Sequence, residues 1–217
     1  MTMSLDIENP AQIQDYLRST HRIGATENVQ IKILPGGVSN KTVQVTRFTG
    51  ESWVLKQALA KLRVKVDWFS DPTRIHREAA ALRVLPTLAP EGTITPLIFE
   101  DRDHHLLAMQ AVPDPHENWK TMLLAGRIHS DHVIQFAQLL GTIHARSAQQ
   151  SQTLAQDFDD RSYFESLRIE PYYLYTAEQE PRAANFLHNL VADTRATRTA
   201  SSMATTAPRT SSSTTTG

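Results

Sequence analysis

The chain of 217 residues contains no cysteine. Disulfide bonds, thiol catalysis and cysteine-ligated zinc are therefore excluded, and the composition suits a reducing compartment. An excess of one charge is also lacking, because 22 Lys and Arg stand against 23 Asp and Glu. Nucleic-acid binders and membrane-surface binders carry a basic excess, so we expect neither nucleic acid nor a membrane as a partner. A small molecule is the expected partner, and no feature of the sequence indicates a protein partner.

Long apolar runs are absent as well. No segment approaches the roughly 20 consecutive apolar residues that a membrane-spanning helix requires. The opening MTMSLDIENPAQIQDYL carries acids and amides where a secretory signal would carry basic residues and then an apolar run. The sequence therefore predicts a cytoplasmic location as the default.

The first 112 residues have the pattern of an α+β lobe. Asn9 before Pro10 is a typical helix start and predicts a short opening helix. Three β-rich runs follow, VQIKIL, TVQVTRF and SWVLKQAL, and turn residues between them predict an antiparallel meander. TITPLIFED and HHLLAMQAV, joined by the polar DRDH, predict two more strands. The expected lobe is a five-stranded antiparallel sheet with one helix inserted after the third strand.

That inserted helix has a clear apolar stripe. In SDPTRIHREAAALRVLPTL, Asp71 is the predicted N-cap and Pro72 follows it. The predicted buried residues recur at helical spacing: Ile75, Ala79, Leu82 and Leu85.

Beyond residue 112 the pattern becomes helical. SDHVIQFAQLLGTIHARSA carries a stripe of Val133, Phe136, Ala137, Leu140 and Ile143, and the helix near EPRAANFLHNLVADT is expected to turn Phe186, Leu187, Leu190 and Val191 inward. The predicted organisation is a lobe at 1–112, a partial, mainly helical lobe at 113–199, and a disordered tail at 200–217.

Three features of the first lobe could carry chemistry. The loop LPGGVSNKTVQV places Gly36 and Gly37 between two strands, where glycines let backbone N–H groups approach an anion; a plain hairpin turn is the alternative. Lys56 lies in the apolar strand WVLKQ and must either reach solvent at an edge or meet an anion. Glu78 lies close to the buried stripe of the inserted helix, where an acid requires a cation, although a helical Glu is usually exposed.

The order of these features is more specific than any one of them. A glycine-rich hairpin, a strand Lys, a helix Glu, two strands and a connector into a helical lobe resemble the ATP lobe of a kinase. Over residues 5 to 199 the chain resembles the aminoglycoside phosphotransferase and choline-kinase-like family, which has a protein-kinase-like fold. LPGGVSNKTVQV is similar to its nucleotide loop, MQAVP to its hinge, and FAQLLGTIHA to the helix before its catalytic loop.

The resemblance implies roles for particular residues. Lys56 would contact the α and β phosphates of ATP, and Glu78 would hold Lys56 in place. The loop residues Gly36, Gly37, Val38, Ser39 and Asn40 would cover the phosphates, and Gln110, Ala111 and Val112 would offer backbone groups to adenine. His144, Tyr172, Tyr173 and Tyr175 are interpreted as packing residues, and His104 with His105 as a turn without a third metal ligand.

The family requires a catalytic loop of the form His-x-Asp-x-x-x-x-Asn, which this sequence lacks. In its expected place stands a tail with five Ser and six Thr in residues 201–217. Back-translated and read one base earlier, SSMATTAPRTSSSTTTG is compatible with VVHGDYSPKNVLVYDDG. The obligatory His, Asp and Asn of the loop align with Met203, Thr205 and Thr210. The codons of these three residues are compatible with His, Asp and Asn in the shifted frame. We therefore expect a frameshift near Ala200, with an ordinary Ser/Thr-rich tail as the alternative.

The sequence thus predicts a fragment of an ATP-dependent small-molecule kinase. The intact protein would use ATP and Mg²⁺ to phosphorylate a hydroxyl of a small acceptor, and this chain, with no assigned catalytic or metal-binding residue, would be inactive. A non-catalytic, pseudokinase-like nucleotide-binding or interaction module is the alternative. A third possibility is an α+β domain that binds no nucleotide, in which Lys56 would be dispensable.

Overall fold

The computed structural model describes residues 5–35 and 37–197. Gly36 of the predicted nucleotide loop and the tail with its back-translated motif lie outside the described residues. None of the helices within the described ranges is long and apolar enough to cross a membrane.

Five strands form one antiparallel sheet, as the sequence predicts. The strands are β1 (Gln30–Ile33), β2 (Asn40–Thr46), β3 (Ser52–Ala58), β4 (Leu97–Asp101) and β5 (Leu106–Gln110). Their order across the sheet is β1-β2-β3-β5-β4. β4 starts directly after Pro96, which has no N–H to donate to a neighbouring strand but accepts the N–H of Gln110 at 2.9 Å.

Along each strand, successive side chains point to opposite faces of the sheet. Leu55 and Trp53 of β3 are buried on one face, together with Val43 and Val45 of β2. Helix α1 (Pro10–Ser19) covers this face with Ile13, Tyr16 and Leu17. Lys56 points to the opposite face, because successive strand residues alternate in direction.

Helix α1 begins as its sequence predicts. The Asn9 side chain accepts hydrogen bonds from the N–H groups of Ala11 and Gln12, at 3.1 and 3.2 Å, and Pro10 is the first helical residue. These contacts satisfy N–H groups that the first helical turn leaves without partners.

Helix α2 (Arg74–Leu88) covers the second face of the sheet. Its predicted buried stripe is confirmed, since Ile75, Ala79, Leu82 and Leu85 are all buried. The predicted start was wrong: the N-cap position is Thr73 rather than Asp71. The backbone N–H groups of residues 74, 75 and 76 donate to carbonyls three residues earlier, so a tighter turn precedes the α-helical pattern. Asp71 still accepts the N–H of Thr73 at 2.9 Å.

Helices predominate in the rest of the described chain. They are α3 (Trp119–Leu124), α4 (Ser130–Gln149), α5 (Ser151–Phe158), a continuous segment formed by α6 (Ser162–Phe164), a π-helical stretch (Glu165–Leu174) and α7 (Tyr175–Gln179), and finally α8 (Pro181–Ala196). The chain is therefore an α+β protein in which the sheet precedes a helical region.

Two predicted inward stripes were partly wrong. Val133 and Phe136 of α4 are 45% and 42% exposed, and Phe186 of α8 is 69% exposed. The later part of α4 reaches α2, where Ile143 packs against a buried cluster that includes Leu85 and Leu88. Helix α8 contacts the preceding helical segment, and among its residues Val191 is buried while Leu190 is 37% exposed. A helix buries only the side that meets a neighbour, which periodicity alone does not identify.

The exposed apolar side of α4 gives a testable expectation. We expect the chain to bind a hydrophobic dye such as anilinonaphthalene sulfonate and to aggregate with concentration, because contiguous exposed apolar surface promotes association. Replacing Val133 and Ile134, 45% and 52% exposed, by Gln should reduce both signals. Ile98→Gln, on a strand residue that is 41% exposed, is the control. Absence of dye binding by the unmodified chain would contradict the expectation.

Candidate functional site

A groove opens on the face of the sheet that α2 covers. Its volume is about 1070 Å³, and strands, α2, the connector after β5 and the helical segment around residues 158–175 line it. This is the size of a small-molecule site. The described residues that the sequence singled out for nucleotide binding all line it: Gly37, Val38, Ser39, Asn40, Lys56, Glu78, Gln110, Ala111 and Val112.

Lys56 and Glu78 form an ion pair in the wall of this groove. The Lys56 Nζ atom donates to Glu78 Oε1 at 2.6 Å, and the two side chains are 18% and 16% exposed. The predicted pairing between the third strand and the inserted helix is thus confirmed. An ammonium group has three N–H donors, and this contact uses one, so Lys56 retains donors for an anion.

The loop before β2 is held by its carbonyl groups. The Val38 carbonyl accepts the N–H of Arg63 at 2.8 Å, and the Ser39 carbonyl accepts the N–H of Leu59 at 3.0 Å. The C=O and N–H of a trans peptide point in opposite directions, so the N–H groups of Ser39 and Asn40 point away from these anchors. Such N–H groups are the kind of donor that binds phosphate in loops.

Gly37 lies so close to the Asn40 backbone that there is no space for a side chain at this position. A Cβ atom there would lie 2.7 Å from the carbonyl oxygen of Asn40, closer than real contacts of this kind. Any other residue would push the loop away from β2. This requirement comes from packing within the chain and is separate from the predicted approach of the loop to an anion.

The connector after β5 offers fewer free backbone groups than its sequence suggests. The N–H of Gln110 donates to the Pro96 carbonyl and that of Ala111 to the Ser52 carbonyl, both at 2.9 Å. Val112 makes no backbone hydrogen bond with any other described residue. Of the three residues predicted to face adenine, Val112 is therefore the one with both its N–H and its C=O available within the described structure.

The groove is positively charged. Six basic side chains line it against three acids; the basic ones are Lys32, Lys56, Lys65, Arg74, Arg77 and Arg168, and the acids are Glu78, Asp114 and Asp160. A cleft lined by an excess of one charge attracts ligands of the opposite charge. The groove thus favours an anion, although the net charge of the whole chain is close to zero.

Arg74 is a groove residue that the sequence reasoning missed. It is 8% exposed and is the first residue of α2. A signal was present, because a cation at a helix N-terminus opposes the helix dipole and requires another reason to be there. Its contacts with backbone carbonyls supply that reason.

The far wall of the groove was also missed. The Trp68 indole donates to the Ser166 carbonyl at 3.2 Å and packs edge-to-face on Tyr175, with ring centres 6.2 Å apart. Tyr175 is thus a packing residue, as predicted. That interpretation was wrong for Tyr172, which is 64% exposed, and for His144, which is exposed on α4.

The histidines of the β4–β5 turn have polar partners. His104 contacts Asp101 at 3.2 Å, and His105 Nδ1 lies 3.2 Å from His76 Nε2. Within residues 5–35 and 37–197 no group of three or more His, Asp or Glu side chains is placed to hold a metal ion.

No protein-family model matches the chain, and no match is found among curated proteins.

Proposed function

We propose that the described residues form the ATP-binding part of a small-molecule kinase resembling the aminoglycoside phosphotransferases. The observation that carries the proposal is the Lys56–Glu78 pair, 2.6 Å apart in the wall of a positively charged groove. A strand Lys held by a helix Glu beside a glycine loop is the phosphate-binding arrangement of protein kinases.

Each groove element has a part in this proposal. Lys56 contacts the phosphates, Glu78 restrains Lys56, and the loop from Gly37 to Asn40 covers the phosphate chain. The backbone of Val112 meets the edge of the adenine ring. ATP supplies the transferred γ-phosphoryl group, and the acceptor is a small molecule with a hydroxyl group.

The catalytic part of the proposal depends on the tail outside the described residues. In the reading one base earlier, HGDYSPKN would supply an Asp to receive the acceptor proton and an Asn to hold a metal ion. The 217-residue chain would then bind nucleotide without transferring phosphate.

Nucleotide binding by the chain as it stands tests the proposal. Lys56→Met should weaken ATP binding roughly 10- to 100-fold, since it removes a charge-assisted contact with phosphate. Lys41→Met is the matched control: Lys41 pairs with Asp6 at 2.7 Å and is 19% exposed, and the strand alternation places it on the opposite face.

Isothermal titration calorimetry with ATP distinguishes the outcomes. Strong loss in Lys56→Met with normal binding in Lys41→Met supports the proposal. Failure of the unmodified chain to bind ATP, or equal losses in both variants, would refute it.

A further inference from the structure

Arg74 joins three separate segments through its guanidinium group. Nη1 donates to the carbonyls of Ser70 and Asp71, at 3.2 and 3.0 Å. Nη2 donates to the Leu59 carbonyl at 2.9 Å and to the Ser39 carbonyl. The side chain thus connects the glycine loop, the end of β3 and the turn that begins α2.

The charge of Arg74 is not neutralised by direct contact. None of the ion pairs among the described residues includes Arg74, and its four acceptors are all carbonyl oxygens. Burial lowers the pKa of Arg74, while the negative charges of Asp71 and Glu78 act in the opposite direction. Burying a cation without a paired acid is costly, and such a position is well suited to binding an anion.

The location connects this charge to the ligand groove. Arg74 lines the groove together with Lys56 and the loop residue Ser39. The Ser39 carbonyl that Arg74 binds belongs to the same peptide unit as the Asn40 N–H. Fixing that carbonyl therefore fixes the direction of a donor that can meet phosphate.

We propose that Arg74 is a positioning residue for the phosphate chain of the ligand. It holds the Ser39 turn against α2 and adds to the groove that Lys56 also lines a positive charge that no acid contacts directly. This inference rests on the proposed function and deepens it, because it assigns the phosphates, not the nucleobase, to this part of the groove. The planar guanidinium of an arginine carries five N–H donors and can bind carbonyls of separate segments at once. The compact ammonium group of a lysine cannot do this in the same way.

The inference is tested with two substitutions and three ligands. Arg74→Lys keeps the charge but loses the fork, and Arg74→Gln loses both. We expect the affinity for ATP and for tripolyphosphate to fall about 10-fold in Arg74→Lys and further in Arg74→Gln. The affinity for adenosine, which has no phosphate, should not change.

Arg63→Gln is the matched control. The backbone N–H of Arg63 binds the same loop, at the Val38 carbonyl, but its side chain binds Glu8, at 2.8 and 2.6 Å, and does not line the groove. Its substitution should leave all three affinities unchanged. Unaltered ATP binding in both Arg74 variants, or parallel losses for ATP and adenosine, would overturn the role of Arg74 while Lys56-dependent ATP binding remained. If the unmodified chain binds no ATP, the proposed function fails first and this inference fails with it.

A measurement on the unmodified chain covers the case in which Arg74 variants do not fold. Four hydrogen bonds should hinder rotation of the guanidinium, so NMR should show separate signals for its two Nη groups. Tripolyphosphate should shift these signals and the Asn40 N–H signal, and adenosine should not. Signals that do not respond to tripolyphosphate would refute the proposal.

Discussion

Moving the reading frame by one base near codon 200 is expected to raise ATP-dependent phosphorylation at least about 10⁴-fold over the 217-residue chain. The prediction rests on the proposed function. The restored sequence HGDYSPKN would contribute a proton acceptor and a metal ligand, and each such group typically lowers the barrier by several kcal/mol. Because the two act on the same transition state, their loss should leave almost no turnover.

The measurement is ATP turnover across a panel of small hydroxylated acceptors. The frame-restored protein is compared with the 217-residue chain and with a restored variant in which the Asp of HGDYSPKN is replaced by Asn. Turnover by the 217-residue chain above a no-enzyme blank would contradict the prediction. Sequencing the gene is the first step, since third bases incompatible with HGDYSPKN would favour a non-catalytic nucleotide-binding module.

Leu55→Ala is expected to lower the free energy of unfolding by about 3 kcal/mol, within the range for a large-to-small core change. Leu55 is fully buried between the sheet and α1. The substitution removes its side-chain contacts and leaves a cavity that close-packed neighbours fill only in part. In a domain of marginal stability such a loss is a large fraction of the total.

Urea denaturation followed by circular dichroism measures this loss. Ile98→Ala, at a site that is 41% exposed, is the control and should cost much less. Equal losses at the two sites would show that the α1 face of the sheet is not the structural core. Leu55 precedes Lys56 but lies on the opposite face of the sheet, away from the groove. Its substitution therefore tests the stability of the fold without removing a residue that lines the groove.

Much of the fold could be predicted because its signals are local. The alternation in SWVLKQAL shows which residues of β3 share a face, and Asn9 with Pro10 marks the start of α1. The start of α2 was placed too early because Asp71 does bind a neighbouring N–H, but in a tighter turn. Local patterns identify such a turn without showing where the regular helix begins.

The candidate site was predictable in part for the same reason. Lys56 is a cation among apolar strand residues and Glu78 an acid beside a buried helical stripe, so each requires a partner of opposite charge. Their meeting at 2.6 Å follows from a helix packing on the face to which Lys56 points. The backbone contacts of the predicted hinge were less predictable, because sequence does not show that the N–H groups of Gln110 and Ala111 bind the carbonyls of Pro96 and Ser52.

By itself the sequence determined that five strands form, that α1 and α2 are helices, and that Lys56 and Glu78 each require a partner of opposite charge. Only the tertiary structure decided that Arg74 binds Ser39, that Trp68 contacts Ser166, and that the early part of α4 is exposed. Periodicity and capping report on residues within a few positions of one another. Arg74 and Ser39 are 35 positions apart, and Trp68 and Ser166 are 98 apart, so their contacts arise when separate segments pack together.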